Sequence, residues 1–225
     1  LVVANWKMNP RTVKEAKTLF GQYKKAANTL RATTFIVCPP MAFLAPLADS
    51  YSGTKIVLGA QDIAAESVGA FTGEVSALMA KSVGARFVVI GHSERRAAGE
   101  TSEVIGKKAE RAIEAGLSPI LCVGEKTRDQ DGEYLEEIRR QIVIALSALT
   151  PPVLKRIIVA YEPIWAIGKS AADAMRSHEL HQMILYIRKI LSEHFSPDVG
   201  KEVPILYGGS VEPGNAYELV RESGA

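Results

Sequence analysis

The sequence has little of what marks several specialised classes of protein. Cysteine occurs twice, at Cys38 and Cys122, and each cysteine ends a short apolar run, which is typical of reduced, buried thiols and not of a disulfide framework. No apolar run approaches the ~20 residues that a membrane-spanning helix needs, and no signal peptide is visible. We therefore expect a cytoplasmic protein without a membrane partner.

An excess of charge of either sign is missing as well. The 27 basic and 25 acidic residues leave a formal net charge of +2, which indicates neither a nucleic acid nor a membrane surface as a partner. Hydrophobic residues make up 47% of the 225 residues, which is enough for a sizeable core. This length fits one large domain or two small ones, and α/β barrels commonly reach it as a single domain.

What the chain does contain is a repeated pattern, in which a short apolar run precedes a helix-like segment. The seven runs lie at 1–5, 34–38, 55–60, 86–90, 118–123, 156–161 and 203–207. Segments between them carry apolar residues at mixed spacings of three and four, most clearly at 12–30, 103–116, 134–149 and 179–195. Strands that alternate with helices predict βαβ units and a parallel sheet.

Two parallel architectures fit this alternation, an open doubly wound sheet and a closed barrel. Periodicity alone does not separate them. An open dinucleotide-binding sheet usually carries a glycine-rich turn after its first strand. Here the first strand leads into NWKMNPRT at 5–12, which contains no glycine, so the open sheet is disfavoured.

Polar residues stand where several of the predicted strands end. The first strand ends in 5–7 (NWK), the fourth in 92–94 (HSE) and the sixth in 161–163 (YEP). In a parallel barrel, catalytic groups come from these carboxyl ends and the loops after them. A lysine, a histidine and a glutamate at one mouth would suit proton transfer beside a developing anion.

Each of these residues also has a structural interpretation. A lone histidine at a strand end is more often a hydrogen-bonded structural residue, and Lys7 alone fits an ordinary surface lysine. Glu162 is harder to explain in this way, because an acid directly after 156–161 should lie at the top of a buried strand. The other histidines, His178, His181 and His194, fall on one long helix and are predicted on its solvated face.

Glycines near the end of the chain predict a phosphate site. The GGS segment at 208–210 offers backbone N–H groups without obstruction by side chains, and such a nest favours an anion. Parallel barrels often bind phosphate with the loops after strands 7 and 8. The segment AIGKSA at 166–171 adds a flexible glycine and a lysine. With an acid–base pair, these features suggest a small phosphorylated substrate.

Six motifs, in the order ANWKMN, GAQD…GAFTGEVS, VVIGHSERR, PILCVGE, AYEPIWAIG and LYGGSV, resemble those of the triosephosphate isomerase family across essentially the whole chain. The resemblance implies a (β/α)8 TIM barrel, in which residues 1–225 form a single domain. It also implies the interconversion of dihydroxyacetone phosphate and glyceraldehyde 3-phosphate through an enediolate, in glycolysis and gluconeogenesis. No cofactor or metal is implied.

The resemblance also assigns roles to individual residues. Glu162 resembles the base that moves a proton between two substrate carbons, and His92 the neutral electrophile that polarises the carbonyl, held neutral by a helix N-terminus as is established for that family. Lys7 resembles the cation that stabilises the enediolate, and Asn5 its neighbour at the oxygen. Glu94 resembles the acid that supports the histidine.

The remaining assignments concern the phosphate and the partner subunit. Three residues resemble ligands that bind the phosphate through backbone N–H groups: Gly168, Gly209 and Ser210. The loop at 65–76 (AESVGAFTGEVS) has no helical period and carries Val68 and Phe71 among polar residues. In the family this loop reaches into the neighbouring subunit, so we expect a homodimer.

Two features depart from the family pattern. The segment after the sixth strand reads AIGK where the family has AIGTGK, so two residues of a lid are missing. The sequence stops at ESGA, where the family continues into an eighth strand, and therefore covers seven strand–helix units. We expect either further C-terminal residues that supply this strand, or closure by another chain or by an altered sheet. A catalytically impaired fragment or scaffold of the family, and another phosphate-binding barrel enzyme, are the alternatives.

Overall fold

A computed structural model of the chain describes residues 1–30, 33–166, 168 and 175–225. The chain forms two compact units. The first unit comprises Leu1–Ile90 and Glu110–Pro119, and the second comprises Gly91–Ala109 and Ile120–Ala225. Both contain short parallel strands that alternate with helices, as the sequence pattern predicts.

The first unit contains four strands and the helices that connect them. The strands are β1 (Val2–Asn5), β2 (Phe35–Cys38), β3 (Ile56–Ala60) and β4 (Phe87–Ile90), and the helices are α1 (Val13–Thr29), α2 (Met41–Ala48) and α3 (Ala77–Ser82). Each strand pairs in parallel with the next one along the chain. The core of this unit is an apolar cluster that consists of Trp6, Ala16, Phe20, Ala27, Phe35, Val37, Leu47, Ile56 and Leu58.

The second unit continues the same alternation. Its elements are α4 (Ser93–Ala97), α5 (Ser102–Glu114), β5 (Ser118–Val123), α6 (Glu133–Leu146), α7 (Pro151–Leu154), β6 (Ile158–Tyr161), α8 (Ser177–His194), α9 (Pro197–Glu202), β7 (Ile205–Tyr207) and α10 (Ala216–Ser223). α5 and β5 contribute residues to both units. β6 pairs in parallel with β5 on one side and β7 on the other, and α8 packs against α6, α9 and α10.

All seven predicted strands are present. The four segments with the clearest helical period are also present, as helices α1, α5, α6 and α8. No eighth strand occurs in the part of the chain that the structure describes, as expected for these residues. The periodicity did not reveal α2, α3, α7 and α9, because helices of four to eight residues are too short for a 3.6-residue repeat to show. The helix predicted at 134–149 begins one residue earlier and ends three residues earlier, as α6 (Glu133–Leu146).

Several expectations about single residue types are confirmed. Both cysteines are buried and neither forms a disulfide bond, and burial raises the pKa of the Cys38 thiol to about 12. The three histidines predicted on a solvated helix face are exposed on α8: His178, His181 and His194. None of the helices within the described ranges is both long and apolar enough to cross a bilayer.

Candidate active site

The second unit brings together the predicted base and the predicted electrophile. Gly91, at φ 66°, turns the chain into His92, which is the N-cap residue of α4. Glu162 follows β6 directly. Both side chains are buried, and His92 Nε2 lies 3.6 Å from Glu162 Oε1. Residues that stand 70 positions apart in the sequence therefore form one acid–base pair.

The start of α4 sets the protonation pattern of His92. The backbone N–H of Glu94 donates a hydrogen bond to His92 Nδ1 at 3.2 Å. Because a backbone N–H can only donate, Nδ1 carries a lone pair and the ring proton lies on Nε2. The ring thus presents an N–H donor on the side of Glu162, as the neutral electrophile predicted from the sequence requires.

Glu94 contributes to this arrangement through its backbone. Its side chain is 62% exposed, and its Oε2 atom lies 3.8 Å from His92 Nδ1, beyond hydrogen-bond distance. The sequence predicted an acid that supports the histidine. In this structure the support comes from the amide of that acid, at the N-terminus of α4.

Glu162 is held closely on several sides. Its Oε2 atom accepts the backbone N–H of Ser93 at 3.3 Å, and its own N–H donates to the carbonyl of Val123 at 2.7 Å. A Cβ atom added at Gly208 would lie 2.7 Å from Glu162 Cγ, and one added at Gly124 would lie 1.8 Å from the Glu162 carbonyl oxygen. Both positions therefore require glycine because the backbone approaches the base so closely.

Arg96 ties the histidine turn to the end of β5. Its guanidinium donates to the carbonyl of Gly91 at 2.8 Å, to the carbonyl of Cys122 at 3.2 Å and to the hydroxyl of Ser102 at 3.1 Å. These bonds to backbone carbonyls satisfy groups that would otherwise lack partners where the strands end. These hydrogen bonds fix the backbone that leads into His92.

A buried carboxylate anchors the segment that follows Glu162. Glu125 is fully buried, and its Oε1 atom accepts hydrogen bonds from Tyr161 Oη at 2.8 Å, Trp165 Nε1 at 2.8 Å and Arg128 Nε at 3.1 Å. Burial, followed by the charge of Glu125, raises the pKa of Tyr161, so this hydroxyl stays a donor. The turn Ile164–Ala166, which contains Trp165, is thus fastened to β5 and β6.

Of the predicted phosphate ligands, Ser210 is bonded to the same segment. Ser210 Oγ donates to the carbonyl of Ala166 at 2.9 Å. Gly168 is exposed at φ 74°, and Gly209 packs against the ring of Tyr207. The shortened lid seen in the sequence at 166–171 lies outside the described residues, except for Ala166 and Gly168.

Asn5 and Lys7 belong to the first unit, at the end of β1. Lys7 is the one residue other than glycine with a positive φ, 52°, in the described part of the chain. Its N–H donates to Asn5 Oδ1 at 3.0 Å, and its carbonyl accepts from Gln61 Nε2 at 2.8 Å. Gln61 also donates to the carbonyl of Cys38 at 2.9 Å. The unfavourable backbone conformation of Lys7 is thus held by two amide side chains.

Gln61 was not among the predicted site residues, although it comes directly after β3. Like the predicted site residues, it stands at the end of a strand, and this position is the sequence signal that could have identified it. A glutamine has no charge to titrate, so an analysis that looks for acids and bases passes over it. Its contribution is to hold the backbone on which Lys7 stands.

The loop at 65–76 also belongs to the first unit. A hydrogen bond from Ala64 N–H to the Val75 carbonyl at 2.8 Å closes its base, as in a compact surface loop. Val68 is 86% exposed and Phe71 is 46% exposed. The absence of a helical period in this segment is confirmed.

Comparisons with known proteins give one consistent description. Residues 1–225 match the family model described as triosephosphate isomerase. The triosephosphate isomerase of Alkaliphilus metalliredigens (strain QYMF) is 40% identical over 224 residues, which are 99% of this chain and 89% of that protein. The protein of the same name from Dehalococcoides mccartyi is 42% identical over 225 residues, 99% of this chain and 87% of that protein. The crystal structure of triosephosphate isomerase from Bartonella henselae is similar with a TM-score of 0.83 and 32% identity, and the match covers 99% of this chain and 87% of that chain.

Proposed function

We propose, given that this chain belongs to the triosephosphate isomerase family, that Glu162 and His92 carry out its proton transfers. The chain is an isomerase that interconverts dihydroxyacetone phosphate and glyceraldehyde 3-phosphate, a reaction of glycolysis. The expected fold class is confirmed, with seven strand–helix units of the TIM-barrel fold in this chain. The alternative of a catalytically impaired fragment finds no support in the comparisons.

In the proposed mechanism the Glu162 carboxylate takes a proton from C1 of dihydroxyacetone phosphate. The electron pair of that C–H bond forms a carbon–carbon double bond, and the carbonyl oxygen on C2 gains the negative charge of an enediolate. His92 Nε2–H donates to the charged oxygen and moves protons between the two oxygens. Return of the carbon-bound proton from Glu162 to C2 completes glyceraldehyde 3-phosphate.

The observation that carries this assignment is the hydrogen bond from Glu94 N–H to His92 Nδ1. It leaves the Nε2–H of His92 available at 3.6 Å from the Glu162 carboxylate. A donor and a carboxylate base this close together can face two adjacent substrate atoms that lie beside the pair, an oxygen against Nε2–H and its neighbouring carbon against the carboxylate. Glu94 supports the histidine in this proposal through its position at the start of α4.

Lys7 and Asn5 have charge-stabilising roles in the proposal. The Lys7 ammonium would stabilise the enediolate, and the Asn5 amide would contact the same oxygen. The paired contacts of Lys7 with Asn5 and Gln61 support this, because a positive φ at a residue other than glycine persists only where the surroundings enforce it. Such enforced backbone conformations concentrate at functional sites.

The substrate phosphate is proposed to bind to backbone N–H groups of Gly168, Gly209 and Ser210. The bond from Ser210 Oγ to the Ala166 carbonyl supports this proposal, because it connects the segment after β7 with the one after β6. Backbone N–H groups without side-chain obstruction favour an anion.

We further propose a single domain over residues 1–225, a location in the cytoplasm and a homodimer formed through residues 65–76. Val68 and Phe71 in this loop, together with Leu78 and Met79 on α3, are large apolar side chains that are exposed. Several exposed apolar side chains within one stretch of the chain favour an interface with another chain.

Replacement of the base tests the proposed mechanism. Glu162→Gln keeps the shape of the side chain and removes its ability to accept a proton, so kcat should fall by roughly 100- to 10,000-fold. The control is Glu133→Gln, which changes an exposed carboxylate at the start of α6 and should leave kcat unchanged. A Glu162→Gln protein with a native circular dichroism spectrum and near-normal turnover would refute the assignment.

A further inference from the structure

Gln141 on α6 makes a reciprocal pair of hydrogen bonds with one backbone residue. Its Oε1 atom accepts the N–H of Gly124 at 3.0 Å, and its Nε2 atom donates to the carbonyl of Gly124 at 3.0 Å. The side chain is buried, with 7% of the residue exposed. A carboxamide that bonds both the N–H and the carbonyl of one residue makes the hydrogen bonds that a neighbouring strand would otherwise make there.

The orientation of this carboxamide is itself fixed. Its Nε2 atom donates a second hydrogen bond to Glu137 Oε1 at 3.2 Å, one helical turn away on α6. Because a carboxylate can only accept, the nitrogen of the Gln141 amide faces Glu137 and the Gly124 carbonyl, and the oxygen faces the Gly124 N–H. Helix α6 therefore holds Gly124 in one place.

Gly124 in turn abuts the backbone of Glu162. A Cβ atom added at Gly124 would lie 1.8 Å from the Glu162 carbonyl oxygen and 2.6 Å from its carbonyl carbon. The neighbours of Gly124 bond the same segment, since the Val123 carbonyl accepts from Glu162 N–H at 2.7 Å and the Glu125 carbonyl accepts from Ile164 N–H at 3.0 Å. Residues 123–125 thus form a support along which residues 162–164 lie.

From this chain of contacts we infer that Gln141 is a positioning residue for Glu162, an inference that rests on the proposed role of Glu162 as the base. Among the described residues, the hydrogen bonds of Gln141 go to Gly124 and Glu137 and not to Glu162. It fixes Gly124, and Gly124 fixes the backbone from which the carboxylate of Glu162 projects. Displacement of a catalytic group by about 1 Å can cost about 100-fold in rate, so a loose Gly124 should lower kcat.

The first test is Gln141→Leu, which has a similar volume and lacks both hydrogen-bonding atoms. The N–H and carbonyl of Gly124 then lose their partners, and this segment can move away from Glu162 to find others. We expect kcat to fall by roughly 10- to 100-fold, while KM changes by less than about threefold because substrate contacts are untouched. Steady-state kinetics in both directions give these values.

The second test is Gln141→Glu, which keeps the heavy-atom shape and makes the pairing depend on pH. A protonated carboxyl group both donates and accepts, as the amide does, whereas a carboxylate can only accept and repels the Gly124 carbonyl. Burial beside Glu137 raises the pKa of such an acid. The ratio of kcat in this variant to kcat in the unsubstituted protein should therefore rise as the pH is lowered from about 9 to about 6.

A matched control separates positioning from general loss of stability. Ile142→Val removes one methyl group from a buried neighbour on the same helix and should leave kcat unchanged although it lowers the melting temperature. The inference is overturned if folded Gln141→Leu has the kcat of the unsubstituted protein, or if the Gln141→Glu ratio does not change with pH. If Gln141→Leu does not fold, the pH series of Gln141→Glu alone decides. Failure of the base assignment is distinguishable, because it would show as activity in Glu162→Gln.

Discussion

At the scale of single residues, the proposed base Glu162 owes its position to neighbours that have no side chain. Gly208 and Gly124 approach Glu162 so closely that any Cβ atom would overlap with it. A glycine in such a place is needed for close approach and not for an unusual backbone angle. These contacts place the Glu162 carboxylate between the ends of β5 and β7.

Gly208→Ala tests this close approach. The new Cβ would lie 2.7 Å from Glu162 Cγ, so the Glu162 side chain must shift, and we expect kcat to fall by about 100-fold. Gly214→Ala is the control, because a Cβ there meets no atom of the described residues within 4 Å. Steady-state kinetics check both variants. Equal kcat values for the two variants would contradict the expectation.

The Cys38 thiol predicts a dependence of stability on pH. Burial raises its pKa to about 12 in the folded protein, whereas an unfolded cysteine titrates near about 8.5. Below the unfolded pKa the contribution to the free energy of unfolding is fully present. As the pH rises towards the folded pKa it is lost, because the unfolded state releases a proton that the folded state keeps.

The measurement is urea unfolding of the unsubstituted protein and of Cys38→Ala at about pH 8 and about pH 10. The unsubstituted protein should lose about 1–2 kcal/mol more of its free energy of unfolding over this interval than Cys38→Ala does. Parallel losses in the two proteins would show that Cys38 does not hold its proton in the folded state.

At the scale of elements, the first turn of a short helix connects the two side chains that are proposed to transfer protons. The N–H of Ser93 is bonded to Glu162 and the N–H of Glu94 is bonded to His92. The first N–H groups of a helix have no carbonyl acceptor within the helix itself, so they can bond to other groups. The five-residue helix α4 thus contacts Glu162 and His92 through the N–H groups of its first turn.

The cap of α1, a helix of the first unit, tests whether that helix contributes only stability. Thr12 Oγ1 accepts the N–H of Glu15 at 3.2 Å. Thr12→Ala should lower the free energy of unfolding by about 1 kcal/mol, with kcat unchanged. Thr12→Ser should recover most of the loss, as measured by urea unfolding. A change of kcat in Thr12→Ala would show that α1 affects the chemistry.

At the scale of the whole molecule, the exposed apolar loop predicts association. Phe71→Asp places a charge on the proposed interface and should shift the protein from dimer to monomer in light scattering across a dilution series. Leu185→Asp, at an apolar side chain that is 52% exposed on α8, is the control and should leave the dimer intact. A concentration-independent, fully active monomer of the unsubstituted chain would refute the interface.

The sequence by itself determined the order of the strands and longer helices, because apolar periodicity is a local property that survives in any compact fold. It also identified Glu162, His92 and Lys7 as candidates, since their chemical types stand directly after buried strands. Short helices escaped it, for too few residues define their period. The sequence also did not reveal the roles of the glutamines, because a glutamine carries no charge.

Only the tertiary structure decided which group partners which. The N–H of Ser93 meets Glu162 from 69 residues away, Gln61 meets the carbonyl of Lys7 from 54 residues away, and Gln141 meets Gly124 from 17 residues away. Such hydrogen bonds depend on how elements pack, and no local pattern encodes them. They form because a buried polar group without a partner costs about 1–3 kcal/mol, so packing brings amide side chains to the strand ends where the backbone needs them.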